Sequence, residues 1–173
     1  GVDEPLGVAI SPDASFALFT NSENNNIGRI NLRTNQITFH YNDTGLIYPW
    51  GIAISPDSRH AVVANYKGNN IALIDLQTDE VSFPFPDAGF NEPYGVVSPP
   101  NGALVLVANN KGNNVACIDF HTRQVTFLGG FHRPMGVSIS RDGTHALVAN
   151  YGGDDKMARF DFPMCIFVNT LIS

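Results

Sequence analysis

Charged side chains are scarce in this chain, and basic ones are the scarcer kind. Aspartate and glutamate number 16 against 10 lysines and arginines, which gives a formal net charge of −6, and charged residues make up 15% of the 173 residues. Soluble domains typically carry about 25%. Because a protein that binds nucleic acid needs a basic surface, this balance argues against a nucleic acid as partner.

Long apolar stretches, helical patterns and cysteines are also missing or few. No apolar run approaches the ~20 residues of a membrane-spanning helix, so we expect no membrane segment. No window repeats apolar residues at the spacing of an amphipathic helix, so we expect almost no helix. Two cysteines, Cys117 and Cys165, are too few for a disulfide framework. Cys117 lies in an apolar run, where it is expected to act as a small buried side chain.

Repetition is what the sequence has in abundance. The segment "PWGIAISPDSRHAVVAN" at 49–65 returns with small changes at 5–21, 93–109 and 134–150, so the copies begin 44, 44 and 41 residues apart. Each copy holds four short apolar runs; in the second they are "GIAIS", "HAVVAN", "IALIDL" and "EVSFPF". Turn-forming residues separate the runs, which indicates strands joined by hairpins.

A repeat of about 40–45 residues with four strands is typical of the blade of a β-propeller. The sequence therefore predicts an all-β fold, a β-propeller built from four four-stranded antiparallel blades. The blades are expected at about 5–48, 49–92, 93–133 and 134–173, within a single domain that spans 1–173.

The repeated words "PxGVAISPD", "VAN" and "NNIxxIDLxT" resemble the YVTN-type β-propeller repeat of surface-layer-like proteins. They are also similar to NHL-type propellers and to lactonase-like and lyase-like propellers. The resemblance implies the propeller fold and an extracytoplasmic or secreted location, but these repeats serve binding proteins and enzymes alike. Two places depart from the pattern: Ser98 stands where an apolar residue is expected, and the end of the chain lacks the usual "TxxV" turn.

Positions that are identical in all four copies are expected to be architectural. Each copy has a glycine two residues after its first proline, which suits strands that crowd the propeller axis. Each also ends its second run with an asparagine, whose amide can bond the backbone of the next turn. A ring of these asparagines around a ligand or metal is the other interpretation, although asparagine alone is a weak ligand set. The four asparagines are Asn21, Asn65, Asn109 and Asn150.

Function is expected where equivalent positions differ. In a propeller blade, the connection that enters the first strand and the turn between the second and third strands lie on one face, which we call the mouth face. Aromatic side chains beside polar groups are typical of a binding site. The other interpretation is that Trp50 and Tyr94 merely fill the channel. The candidate binding residues are Leu6, Tyr48, Trp50, Lys67, Tyr94, Lys111, Arg133 and Met135.

Catalysis is the alternative function. His132 precedes the first strand of its blade, and Glu4 and Glu92 occupy equivalent connections. A histidine with carboxylates could act as acid and base, or could hold a divalent metal on the central axis. However, the chain has no Ser-His-Asp pattern, no HExxH and no phosphate-binding glycine loop. We therefore predict a non-catalytic module without metal or cofactor that binds a small molecule or a protein. The alternative is a small-molecule lyase or lactonase-like enzyme at the same mouth.

An open arc of four blades would leave one apolar face uncovered at each end, which is more than soluble monomers usually tolerate. We therefore expect self-association, most simply of two chains into an eight-blade ring, or missing blades supplied by a longer parent chain. A closed four-blade ring is the third arrangement. The apolar segment "CIFVNTLIS" at 165–173 is expected to form the last strand.

Overall fold

A computed structural model describes residues 1–102, 104–153 and 157–161 of the chain. These residues form 15 β-strands and no helix. The first blade contains β1 (Pro5–Ile10), β2 (Phe16–Asn21), β3 (Asn26–Asn31) and β4 (Ile37–His40). The second contains β5 (Pro49–Ile54), β6 (His60–Asn65), β7 (Asn70–Asp75) and β8 (Val81–Ser82). The third contains β9 (Pro93–Val97), β10 (Val105–Asn109), β11 (Asn114–Asp119) and β12 (Gln124–Leu128). The fourth contains β13 (Pro134–Ile139), β14 (His145–Asn150) and β15 (Met157–Asp161).

Each blade is a separate antiparallel sheet whose strands follow one another in chain order. Three sheets have four strands, and the fourth has three within the described residues. The strand predicted at 165–173 lies outside the described residues. The prediction of an all-β fold with four antiparallel blades is therefore confirmed.

The core consists of three layers, one between each pair of neighbouring blades. In the first layer, Leu18 and Ile27 of blade one meet Ile52, Ile54 and Val63 of blade two, and all five are buried. Blade two packs on blade three, and blade three on blade four, through equivalent positions. Blades two and three are thus covered on both faces, which explains why their strands are apolar at nearly successive positions.

The first strands of the blades lie along the axis and approach one another closely. A Cβ added at Gly51 would lie 2.2 Å from the carbonyl oxygen of Tyr94, and one at Gly7 would lie 2.2 Å from that of Trp50. Glycine is required at such contacts, as expected. Gly136 is different, because the nearest atom to an added Cβ would be the Cβ of Ala149, at 3.6 Å. No further strand packs against β13 on that side in the described part of the chain.

The blades form an open arc, so the closed four-blade ring is not the arrangement observed. Contacts join β1 to β5, β5 to β9 and β9 to β13, and no comparable contact between described residues joins β13 back to β1. The two end faces are exposed as a result. Val8 and Ile10 on the first blade are 68% and 62% exposed, and Met157 on the fourth is 67% exposed. Ile52, the counterpart of Val8 in the second blade, is only 5% exposed.

Two further expectations concern single features of the chain. Cys117 is buried in β11, as predicted, but it is disulfide-bonded and so is more than a small apolar side chain. The other cysteine, Cys165, lies outside the described residues. Among the described residues, no helix has the length and hydropathy needed to cross a membrane.

Candidate functional site

Four aromatic side chains meet on the mouth face, and we call Tyr48, Trp50, Tyr66 and Tyr94 the mouth cluster. The rings of Trp50 and Tyr94 have centroids 4.3 Å apart, and Tyr66 lies 5.0 Å from Tyr94 and 5.6 Å from Trp50. Tyr48 completes the cluster at 5.8 Å from Tyr66. All four side chains are partly exposed. The structure thus brings together three residues of the predicted site and adds Tyr66, which sequence reasoning missed.

A break in strand pairing places the central residue of the cluster. The pairing of β5 with β6 shifts between Pro49 and Ile52, so Trp50 lies in an irregular stretch at the beginning of the strand. The first strands of the other blades have a similar shift, which contains Leu6, Tyr94 and Met135. Such irregularities re-aim a side chain, and they are common beside functional sites.

A hydrogen bond between neighbouring blades fixes the segment that enters each first strand. The backbone N–H of Tyr48 donates to Oδ1 of Asn25 at 2.6 Å, and both residues have positive φ, 51° and 54°. The equivalent bonds run from Glu92 to Asn69 and from Arg133 to Asn113, each at 2.9 Å. In blades two, three and four this bond holds the residue before the proline in a conformation with positive φ. Such a conformation is disfavoured for residues with a Cβ.

Two tyrosines of the mouth cluster have altered acidity. A hydrogen bond to the Glu4 carboxylate, with burial as the next cause, raises the pKa of Tyr48 to about 12. Burial, followed by a hydrogen bond with Tyr66, raises the pKa of Tyr94 to about 12. A tyrosine is already neutral at physiological pH, and the raised pKa values extend the range in which both phenols keep their proton to more alkaline pH. The Lys67 ammonium lies 3.8 Å from the centroid of the Tyr48 ring, as a cation–π contact.

The remaining candidate binding residues surround this cluster or lie further along the face. Lys111 pairs with Glu92 at 2.5 Å within the third blade. The Arg133 guanidinium lies 5.3 Å from the centroid of the Tyr151 ring, which is a contact within the fourth blade. Leu6 and Met135 hold the positions equivalent to Trp50 in the outer blades, and both are partly buried. The charged residues therefore have partners of their own.

The three residues considered for catalysis lie in separate connections. The Glu4 carboxylate acts on Tyr48, whose pKa it raises, and Glu92 pairs with Lys111. His132 is exposed, and its backbone N–H donates to Oδ1 of Asn150 at 3.1 Å. Among the described residues there is no group of three or more His, Cys, Asp or Glu side chains that could hold a metal ion. The catalytic interpretation remains an untested prediction.

The repeated asparagines make the contacts of a scaffold. Asn65 is fully buried; its Oδ1 accepts the backbone N–H of Ile47 at 2.5 Å, and its Nδ2 donates to Oδ1 of Asn70 at 2.8 Å. Asn21 and Asn109 make the same two kinds of bond. Each of these three asparagines thus joins the entering segment to the first residue of the third strand. These bonds support the architectural interpretation.

Comparison with known proteins shows the fold. No family model matches the chain, and no curated protein is similar to it in sequence. Among solved structures, it is similar to the hydrazine synthase of Kuenenia stuttgartiensis, with a TM-score of 0.78 and 20% identity over 92% of this chain. It is also similar to a chain in a nidogen/laminin complex, with a TM-score of 0.78 and 17% identity over 87% of this chain. The chain spans 46% and 58% of the lengths of those two chains.

The blades and these structural neighbours define a β-propeller domain. The resemblance to the YVTN-type repeat is not confirmed, because no family model matches. At such low identity the likeness concerns the fold alone, and a fold does not establish a function.

Proposed function

We propose that this β-propeller domain is a non-catalytic binding module whose mouth cluster takes a ligand against its ring faces. The observation that carries the proposal is the meeting of four partly exposed aromatic side chains at one place on the mouth face. Tyrosine and tryptophan offer a large contact area together with a polar group, and they are enriched at binding hot spots. The proposed site needs no cofactor.

The chemistry of the cluster favours a ligand with a cationic group. Lys67 places its ammonium on the Tyr48 ring, at 3.8 Å, so that ring face already holds a cation of the chain itself, and a ligand's cation would meet the Trp50 ring instead. Tryptophan is the best aromatic partner for a cation, and Trp50 lies beside that ring. The net charge of −6 also favours approach of a cationic ligand. The ligand class is therefore a small organic cation or a basic segment of a protein.

The experiment uses Trp50 as a reporter, since it is the only tryptophan of the chain. Fluorescence is recorded while tetramethylammonium or a lysine-rich peptide is added, and we expect a saturable change in emission. Tyr94→Ala removes a ring in contact with Trp50, so it should weaken the response at least about tenfold, or 1.4 kcal/mol. Tyr41→Phe is the matched control, because Tyr41 lies outside the cluster and packs against the core between blades one and two.

Stability measurements separate binding from a structural role. Trp50 is partly exposed, so Trp50→Ala should cost less than the roughly 3–5 kcal/mol of a fully buried tryptophan. Calorimetric binding of the same probes by Trp50→Ala should be absent. If neither probe changes the emission, or if Trp50→Ala costs the full amount and binds like the wild type, Trp50 fills the channel and the proposal fails.

We also propose that the two end faces of the arc are covered by a second copy of the chain. Val8 and Ile10 hold the positions that Ile52 and Ile54 hold in the core between blades one and two. Met157, on the outer face of blade four, holds the position of Ile27, which that same core contains. The first face of one copy thus has the pattern of residues that packs on the last face of another.

The energetics support this pairing. Burying a valine, isoleucine or methionine side chain contributes about 1.5–3 kcal/mol, and these side chains are about two-thirds exposed. A ring of two copies repeats the interface twice. The alternative occupant is a further blade of a longer parent chain, and a solution mass of one chain for the 173-residue protein would favour it.

An extracytoplasmic or secreted location is part of the same proposal. The disulfide at Cys117 supports it, because disulfides persist in oxidising compartments.

A further inference from the structure

A cleft of about 530 Å³ lies between blades two and three, away from the mouth cluster. It is lined by the turn that joins β5 to β6, by the start of the turn after β9, and by the turn between β11 and β12. In a blade these connections lie at the end opposite the turn between the second and third strands. The cleft is therefore separate from the mouth cluster.

One difference between the repeats explains part of this opening. Ser98 in blade three holds the position of Ile54 in blade two. Ile54 fills the core between blades one and two, and Ile139 packs against the core between blades three and four. The shorter serine leaves that volume empty between blades two and three, and Ser98 lines the cleft.

A second difference removes the bond that closes the equivalent place one blade earlier. Between blades one and two, the Tyr41 hydroxyl donates to Oδ1 of Asp79 at 2.8 Å. The positions 44 residues further along hold Phe85 and Arg123. Phenylalanine has no hydroxyl, so the equivalent hydrogen bond is absent between blades two and three. Both Phe85 and Arg123 line the cleft.

The lining has an apolar floor and a cationic rim. Phe85 and Phe120 lie against each other with centroids 5.6 Å apart, and Val62 and Val105 line the same space. Arg123 is exposed and makes no ion pair with any residue that the structure describes. A planar apolar body fits the floor, and a carboxylate suits a guanidinium, which binds it through two parallel hydrogen bonds.

The acidic side chain at the rim is already engaged. Oδ1 of Asp57 accepts the Ser55 hydroxyl at 2.6 Å and the backbone N–H of Arg59 at 3.0 Å. These donors turn the carboxylate toward its own turn, which leaves the Arg123 guanidinium as the rim charge available to a ligand.

We propose that this cleft is a second binding site, for a small aromatic carboxylate whose ring packs on Phe85 and Phe120 and whose anionic group pairs with Arg123. The ligand class is opposite in charge to the one proposed for the mouth cluster. The two proposals are independent, and either can fail alone.

The test uses 2-naphthoate as probe, with binding followed by chemical-shift changes in NMR spectra of the whole chain. We expect saturable binding with a Kd of about 1 mM or tighter, which is the affinity that a ligand of this size reaches at about 0.3 kcal/mol per atom. Ser98→Ile restores the residue found in the other three blades, so it should fold, raise the melting temperature and weaken naphthoate at least tenfold.

Two more variants separate the parts of the site. Arg123→Gln should weaken 2-naphthoate at least fivefold and leave the neutral analogue 2-naphthalenemethanol unchanged. Trp50→Ala, in the mouth cluster, should bind naphthoate like the wild type. Absence of saturable binding at millimolar probe, unchanged affinity in Ser98→Ile, or equal effects of Arg123→Gln on both probes would each overturn the proposal.

Discussion

Replacing Gly136 by alanine tests whether a second copy completes the ring. In the single chain, the added Cβ would lie 3.6 Å from the Cβ of Ala149, an ordinary contact, so the monomer should tolerate it. At the internal interfaces the equivalent glycines are crowded: the added Cβ would lie 2.2 Å from a carbonyl oxygen at Gly51 and 2.5 Å from one at Gly95. If a second copy packs on β13 as β9 packs on β5, its Leu6 carbonyl would meet this Cβ at a similar distance.

The expected magnitude follows from that contact. Forcing a methyl group into a packed interface costs about 1–3 kcal/mol. A ring of two copies has the interface twice, so dimerisation should lose about 2–6 kcal/mol, which weakens it by about 30-fold or more. The monomer itself should gain a few tenths of a kcal/mol up to about 1 kcal/mol, because alanine restricts the unfolded chain.

Sedimentation velocity at micromolar concentration gives the assay. The wild type should sediment with about twice the 18.7 kDa mass of the chain, and Gly136→Ala with the mass of one chain. Gly51→Ala is the matched control, because the clash of its added Cβ lies inside one chain. This variant should lower the melting temperature whether the protein is a monomer or a dimer. A wild-type protein that sediments as a stable monomer, or a Gly136→Ala variant that dimerises as tightly as the wild type, would refute the two-copy ring.

The scaffold and the acidic turns give two further predictions. Asn65→Ala should lower the free energy of unfolding in urea by about 1–3 kcal/mol, because it removes the hydrogen bonds that the buried Asn65 side chain makes with the backbone N–H of Ile47 and with Asn70; an unchanged midpoint would contradict the scaffold role. Hydrogen bonds within the turn lower the pKa of Asp142 to about 2, and the largest cause is the hydrogen bond from the Ser140 side chain. Similar turn hydrogen bonds lower the pKa of Asp75 and of Asp119. Because all three pKa values are lowered from the unfolded value of about 3.9, the stabilisation is present above pH 4 and is lost as the pH falls below it, toward pH 2 for Asp142. The melting temperature measured between pH 4 and pH 2 should fall, and it should fall less steeply with pH in Asp142→Asn. An equal dependence of the melting temperature on pH in the two proteins would rule out the contribution of Asp142.

The fold was predictable because every copy of the repeat contains the turn residues as well as the apolar runs. The run "HAVVAN" predicts a strand, and β6 covers His60–Asn65. Where a run contains proline, the prediction was too long: "EVSFPF" forms only β8, Val81–Ser82. Pro84 and Pro86 have no N–H to continue a ladder, so the strand ends early. Local chemistry thus set the bounds that periodicity alone left open.

The site was only partly predictable, because ring contacts depend on backbone geometry. Trp50 and Tyr94 were found because their repeat position differs between blades. Tyr66 was missed although its repeat position also differs, with Ser22 and Asn110 in two other blades. The signal was therefore present. The amino-acid sequence does not reveal the positive φ of Tyr48 or the hydrogen bond to Asn25 that holds this conformation. The repeat offset already matches Ser98, Phe85 and Arg123 with residues one blade earlier, but only the packed blades show that these three residues line one cleft.

Binding at the mouth and completion of the ring are separable, because the mouth cluster lies in the middle of the arc. Tyr48, Trp50 and Tyr66 lie in or beside the first two strands of blade two, and Tyr94 begins blade three, so every ring contact forms within one chain. The exposed end faces lie on blades one and four. A monomeric Gly136→Ala protein should therefore give the same Trp50 fluorescence response to tetramethylammonium as the wild type. If that response disappears together with the dimer, the mouth is formed by two chains and the binding module is the assembled ring.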